Sequence, residues 1–565
     1  MNDVWTKFHG RPSLHLLILV FIGYQAFVSN ISLSLFGETE GLYAIVTHTM
    51  LATGDYLHLS LKGEPYFNKP PLFFWLQALF IHGLGWSEVA LRLPAALASF
   101  GTMLATYGLG RILFSPVAGF WAALTVSTCY AALWFGPLAI IDPVLTFCMT
   151  LGMYAWARAY FQESSQSWYL VAFAALAVGA MVKTLHAFAM PALVVGVFLW
   201  IRRDSRPFRE PWFWAGVVFF GVFLGGYYGL LGQQFWQHFF FEENLQRLVA
   251  QVGDEKRSAF EAYLGKRPIH WYGFVIWFDA FPWSVLLPPG LVLMWKQGPW
   301  RQASRELWVL LWVGGYLLAF SLVPEKHERY LLPLLPGIGL VVGYVYQYYC
   351  VDRPQASGHA LLTWMLGCLG VAFGVGVFLG PILLQKKWFL PVETIPLAVR
   401  VGFGIGGLSL LILAIGNQIR MALLGVGVLG AGLMLAVTVW IIPGIHAEGA
   451  PKSVFLENLQ RFSHPTDPIR VLQTNSWRGD EDQFYWDFFH GHFQIVGEGL
   501  EDFAALNVLK QELREHHKLA IMMTEEQYNN LIAHDSDFLA AIDLKFHRSR
   551  KQIYLVSLQE RKAAL

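Results

Sequence analysis

"PPLFFWLQALFIHGLGW" occupies residues 70–86 and decides how the chain is threaded. Read as a membrane crossing, it reverses the side on which every later loop lies. Read as a helix lying along a membrane surface, it leaves those loops where they were. Charge separates the two cases, because cytoplasmic loops collect Lys and Arg. With a cytoplasmic N-terminus and no crossing at 70–86, the inside loops hold Arg111, Arg158, the cluster Arg202, Arg203, Arg206 and Arg209, then Lys296, Arg301, Arg305, Arg353 and Arg420. With a crossing, all of these move outside, while the sparse set Lys183, Lys326, Arg329, Lys386 and Lys387 moves inside. The first arrangement obeys the rule, so 70–86 is expected to be an amphipathic surface helix begun by Pro70 and Pro71.

The membrane premise rests on composition. The 565 residues are 55% hydrophobic and only 14% charged, with a mean hydropathy of +0.44, unlike a soluble globular chain. A net charge of +1 provides no bulk attraction to nucleic acid, and none is expected as a partner. Cys129, Cys148, Cys350 and Cys368 sit in or beside apolar runs without C-x-x-C spacing, which speaks against a disulfide framework or a zinc site.

A hydrocarbon core about 30 Å thick needs about 20 apolar residues per helix. Thirteen runs qualify, at 13–34, 93–113, 116–135, 143–161, 168–183, 186–201, 212–232, 272–295, 306–323, 330–349, 360–384, 397–416 and 421–442. The first is longer than a signal-peptide core and is expected to be retained as a span. Thirteen spans from a cytoplasmic start put the C-terminus outside. The exterior segments are then 36–92, 233–271 and 443–565. The expected architecture is an α-helical polytopic membrane domain over 1–442 and a small soluble α/β domain over 443–565. The latter shows strand-like "IRVLQTN", "FQIVGE", "LAIMMT" and "QIYLVSL" and a helical stretch at 501–517.

The exterior loops repeatedly return charge to the membrane edge. Glu38 and Glu40 follow the first span, Asp142 begins the fourth, Lys183 ends the fifth, and Lys326 and Arg329 stand between the ninth and tenth. Each has an ordinary reading. A cation at a span end serves as a snorkelling anchor, Asp142 before a proline suits a helix N-cap, Glu40 could cap a helix starting at Gly41, and Glu64 suits a turn. His48, His58, His186, His238, His270 and His327 are scattered, without metal spacing. Taken together, acidic and basic groups at one depth suit a lipid-linked anion, with Lys and Arg on phosphate oxygens and a carboxylate for acid–base work. A transporter stays open at this point, although its usual paired halves and mid-membrane charges are missing from the pattern.

The motifs are more specific. An acidic pair before "YA" (43–44), "MLATGDY" (50–56), "GEPYFNKPP" (63–71), "LRLPAALAS" (91–99), "IDPVLTF" (141–147), "ENLQR" (243–247), "PWSVLLPPG" (282–290) and "PEKHERYLLPLLPG" (324–337) follow in that order. This series resembles the bacterial glycosyltransferases that include lipid A 4-amino-4-deoxy-arabinose transferase, relatives of the dolichyl-phosphate-mannose protein mannosyltransferases. The resemblance implies a GT-C fold with thirteen spans in the bacterial inner membrane, a periplasmic active site and C-terminal domain, and a polyprenyl-phosphate sugar donor. It also implies transfer, usually with inversion, to a lipid (lipid A-like) or other envelope glycan acceptor.

By the same resemblance Glu40 is the first choice for the catalytic carboxylate and Glu38 the second, since the family's "DE" pair falls on Thr39 and Glu40. Asp142 matches a second acidic position. Lys69, Arg247, Lys326, Arg329, Tyr330 and Lys183 are the candidates for the donor phosphate. The family's "EKPP" reads "NKPP" here, with Asn68 in place of an acid. No metal is assigned; a divalent ion stays open as a cofactor but is not required. A polyprenyl phosphate leaves as a stabilised anion, so cations that neutralise it and one base that activates the acceptor suffice. The segment 251–268 is long enough for a mobile lid or a plain linker. A glycan polymerase or ligase on a similar scaffold is the alternative activity.

Overall fold

The computed structural model describes residues 11–33, 38–61, 63–162, 166–239, 267–297, 305–323, 326–358, 360–388 and 391–449, and five strands between 469 and 560. The chain divides into two compact units, one of residues 1–32 and 46–442, the other of residues 33–45 and 443–565.

The first unit is helical. Among the described residues, seven helices are long and apolar enough to cross a membrane: Glu88–Leu113, Pro211–Leu230, Arg305–Leu322, Glu328–Asp352, Ala360–Gln385, Leu397–Ile415 and Ile419–His446. Shorter apolar helices occupy Pro12–Phe27, Leu72–Leu84, Trp168–Val182 and His186–Arg202.

The deciding segment is the helix Leu72–Leu84, whose 13 residues extend about 20 Å, well short of the hydrocarbon core. Its faces are not divided as an amphipathic surface helix requires. Phe73, Phe74, Gln77, Ala78 and Ile81 are buried, and the exposed side carries Leu79 and Leu84. The polar Gln77 faces inward because it has work there: Thr47 Oγ1 donates to its carbonyl at 2.6 Å and its amide donates to the Leu91 carbonyl at 3.0 Å. The helix is thereby tied to Glu38–Thr53 and Glu88–Leu113.

The run at 272–295 is not one straight helix. It forms Trp271–Asp279 and Trp283–Gln297, bent by 116°. Pro282 supplies no N–H to continue a helix, and the freed backbone is satisfied by another break. The run at 116–135 is interrupted at Cys129, and Tyr130 N–H donates to the Phe281 carbonyl at 3.1 Å. Trp283 Nε1 donates to Thr128 Oγ1 at 2.9 Å. Two broken helices tolerate each other because each closes the other's open polar groups.

Packing separates an interior from a lipid-like periphery. The helix Leu335–Tyr346 is buried along its length and lies against Pro116–Thr128. A Cβ at Gly343 would run into the Ala118 backbone, so only glycine permits that approach. By contrast Leu397–Ile415 exposes Leu397, Val401, Ile405, Leu408, Ile412 and Ile415, a stripe that is stable only in an apolar solvent.

In the second unit the four strands expected from sequence are present, with a fifth, Ile542–Arg548, that the pattern did not mark. Ile469–Thr474 pairs in parallel with Phe493–Leu500, and Ile553–Glu560 lies between Lys518–Thr524 and Ile542–Arg548 in an antiparallel sheet. The helical stretch expected at 501–517 lies outside the described residues.

Candidate functional site: a carboxylate and cation cluster at helix ends

Asp142 stands in the first turn of Ile141–Phe161, where a negative charge complements the helix dipole. It is not the N-cap; that position is Ile140, in extended conformation. The carboxylate is therefore available for longer-range partners. Lys183 Nζ donates to Asp142 Oδ1 at 2.6 Å, and Arg329 Nε lies 3.7 Å from Oδ2. The Lys183 and Asp142 side chains are only 13% and 6% exposed, so this lysine is not a snorkelling anchor.

Lys183 sits one residue past Trp168–Val182, and its ammonium lies 4.4 Å over the Tyr330 ring, where a cation gains from the ring quadrupole. Arg329 and Tyr330 share the tight turn Glu328–Leu334. Residues 142, 183, 329 and 330 are thus brought together from three elements. Lys69, after the hairpin Ser60–Leu61/Glu64–Pro65, donates to the Asn68 carbonyl at 2.8 Å and lies within electrostatic reach of Asp142. Glu64, whose sequence context suits a turn, instead opens the second strand of that hairpin, paired with Leu61.

Lys326 is 4% exposed, and among the described residues its Nζ has no hydrogen-bond partner. Burial pushes its pKa down, because desolvation disfavours the charged form. A group that the sequence left among scattered histidines also joins the cluster. His186 opens the helix His186–Arg202, its Nδ1 is hydrogen-bonded with Thr184 Oγ1, and Lys183, Asp142 and Lys69 all act on it electrostatically. Its nearness to Lys183, three residues earlier across a helix break, was the available signal.

Other charges have local explanations. Asp55 Oδ1 accepts the backbone N–H groups of Leu57 and His58, and Oδ2 meets His58 Nδ1 at 3.1 Å. The His58 backbone N–H is the main reason its carboxyl titrates below the ordinary value. Glu40 is buried within the helix Glu38–Thr53, in the unit that also holds residues 443–565. Since that helix begins at Glu38, Glu40 does not cap a helix starting at Gly41. The side chain of Glu38, the whole of Arg247 and nearly all of 251–268 lie outside the described residues. Among the described residues no group of three or more His, Cys, Asp or Glu side chains is arranged to hold a metal.

A bundle with lipid-compatible outer faces and a partly desolvated charge cluster at its helix ends defines a polytopic membrane protein. The particular kind follows from comparison. The family described as dolichyl-phosphate-mannose-protein mannosyltransferase matches residues 68–225. An undecaprenyl phosphate-alpha-4-amino-4-deoxy-L-arabinose arabinosyl transferase of Sodalis glossinidius is 27% identical over 428 residues, 71% of this chain and 72% of its own length. Its namesake from Yersinia enterocolitica is 26% identical over 62% of this chain, and the match spans 61% of that relative.

The crystal structure of ArnT from Cupriavidus metallidurans bound to undecaprenyl phosphate superposes with a TM-score of 0.69 at 19% identity, covering 98% of this chain and 99% of that one. The apo state of the same protein gives 0.67. At such identity the likeness establishes the fold, a polytopic GT-C membrane architecture. The chain is similar to the GT-C glycosyltransferases of the aminoarabinose-transferase and protein-mannosyltransferase-like family, as its motifs imply.

Proposed function

We propose that the protein is an integral membrane glycosyltransferase that moves a sugar from a polyprenyl-phosphate donor to a lipid A-like lipid or another envelope glycan acceptor. The reaction takes place on the periplasmic face of the bacterial inner membrane, with inversion at the anomeric carbon. The observation that carries this reading is the Asp142–Lys183–Arg329 cluster, with Lys69 in its electrostatic reach. Support comes from the names of the relatives and from the undecaprenyl phosphate bound by the structural neighbour. The topology belongs to the same proposal: thirteen spans, cytoplasmic N-terminus, and 443–565 as a periplasmic domain.

The charges suggest a division of labour. Asp142, already shared by two cations, orders Lys183 and Arg329 rather than acting as a base. Lys69, Lys183, Lys326, Arg329 and Arg247 neutralise the departing phosphate as the glycosidic bond breaks, and Tyr330 supports Lys183 through its ring. Glu40, with Glu38 as the second choice, deprotonates or orients the acceptor hydroxyl on the opposite face of the sugar. An acceptor that is itself an ionised phosphate needs only orienting.

The test is mass spectrometry of envelope lipids and glycans from cells with the wild-type gene, with the gene removed and with Glu40→Gln at equal membrane abundance. A glycan mass present with wild type and lost in the other two is expected. No change on gene removal would overturn the transferase reading. A wild-type profile from Glu40→Gln would overturn the role of Glu40 alone.

A further inference from the structure

The segment that carries Lys326, Arg329 and Tyr330 is held by a fastening that no sequence motif marks. Tyr272, fully buried in Trp271–Asp279, donates its hydroxyl hydrogen to the His327 carbonyl at 3.0 Å and accepts the His327 N–H at 3.2 Å. Both backbone polar groups of one residue thus close on one phenol oxygen. The neighbouring Arg267 donates to the Lys326 carbonyl, with its guanidinium 4.2 Å over the Trp271 ring. The Tyr272 ring also meets those of Trp271 and Phe320 in edge contacts. Two consecutive peptide groups are therefore held from residues 267–272.

What those peptides present is the informative part. Lys326 is a buried ammonium whose Nζ has no hydrogen-bond partner among the described residues. A buried cation without a counter-group is costly unless an anion completes it. His327 is extended, and the turn bearing Arg329 and Tyr330 starts at the next residue. A rotation of the 326–327 backbone would withdraw the ammonium and re-aim the turn together.

We propose that Tyr272 and Arg267 are positioning residues that lock the Lys326–His327 backbone, so that the Lys326 ammonium meets the phosphate of the lipid-linked donor. The inference rests on the transferase reading and deepens it. Neither residue touches substrate; both act through Lys326. Tyr272→Phe keeps the buried ring and removes only the hydroxyl.

The probe is undecaprenyl phosphate alone, titrated against the purified full-length protein in detergent, with binding followed by native mass spectrometry. Tyr272→Phe is expected to weaken binding about tenfold, as the loss of two hydrogen bonds implies, and Lys326→Met at least as much. The double variant should bind no more weakly than Lys326→Met, because a residue that acts through another adds nothing once the other is gone. Arg267→Gln, at a partly exposed side chain, should weaken binding in the same direction and serves if Tyr272→Phe does not fold. Wild-type binding by Tyr272→Phe and Arg267→Gln, or additive losses in the double variant, would overturn the positioning role. Failure of the wild-type protein itself to bind would instead overturn the donor-phosphate reading, and this inference with it.

Discussion

Removing the charge of Asp142 and the amine of Lys183, singly and together, tests whether the cluster is one electrostatic unit. Charges 2.6 Å and 3.7 Å apart attract by about 6 and about 4.5 kcal/mol at an effective dielectric near 20, before desolvation takes back several kcal/mol. Lys183→Met leaves Asp142 buried beside Arg329, with Lys69 in electrostatic reach, and Asp142→Asn takes from Lys183 the carboxylate charge it pairs with, leaving at most a neutral amide acceptor and the Tyr330 ring among the described contacts. Each is expected to cost about 3 kcal/mol, the range for breaking a buried pair by removing one partner. The double variant removes both orphans, so its cost should stay near about 3 kcal/mol rather than doubling. The assay is denaturant unfolding of the detergent-solubilised protein, followed by tryptophan fluorescence. Losses that add to within about 0.5 kcal/mol would mean that the two groups are not coupled, and the reasoning about the cluster would fall.

Asp204 supplies a pH test away from the site. Burial pushes its carboxyl up, but hydrogen bonds from Arg206 and Tyr160 outweigh it and bring the pKa to about 2, from 3.8. The stability it lends is therefore fully present above the ordinary carboxylate value and lost only as pH falls through about 2. Unfolding should show no Asp204-dependent slope between pH 5 and pH 8; a slope there that disappears in Asp204→Asn would contradict the assignment. Gly343→Leu should disrupt the close crossing with Pro116–Thr128 and cost about 1–3 kcal/mol from overpacking. An unchanged melting temperature would show that the crossing can open without penalty.

Much of the bundle was legible beforehand because apolar runs and loop charge act locally along the chain. The helix at 72–84 was legible as a helix from its sequence, yet the division of its faces was not, since Gln77 points inward only because Thr47 and the Leu91 carbonyl wait there. The run at 272–295 looked like a single span because hydropathy averages over Pro282; what allows the bend is a second break at Cys129, in a helix far away in sequence. Asp142 looked like a cap, and Lys183 had the ordinary reading of an interface anchor, since neighbours in sequence carry no information about a partner 41 residues away.

The sequence by itself determined that this chain lives in a membrane, where its apolar segments fall, which loops carry cations, and which motif series it follows. These are properties of transfer into lipid and of short linear patterns, and each is settled within about 20 residues. Tertiary structure alone decided that Asp142 is shared by Lys183 and Arg329, that Lys183 rests on Tyr330, and that Tyr272 holds the backbone beside a buried Lys326. Those pairings arise only when helix ends from distant parts of the chain meet at one place, where low dielectric makes the identity of each neighbour matter.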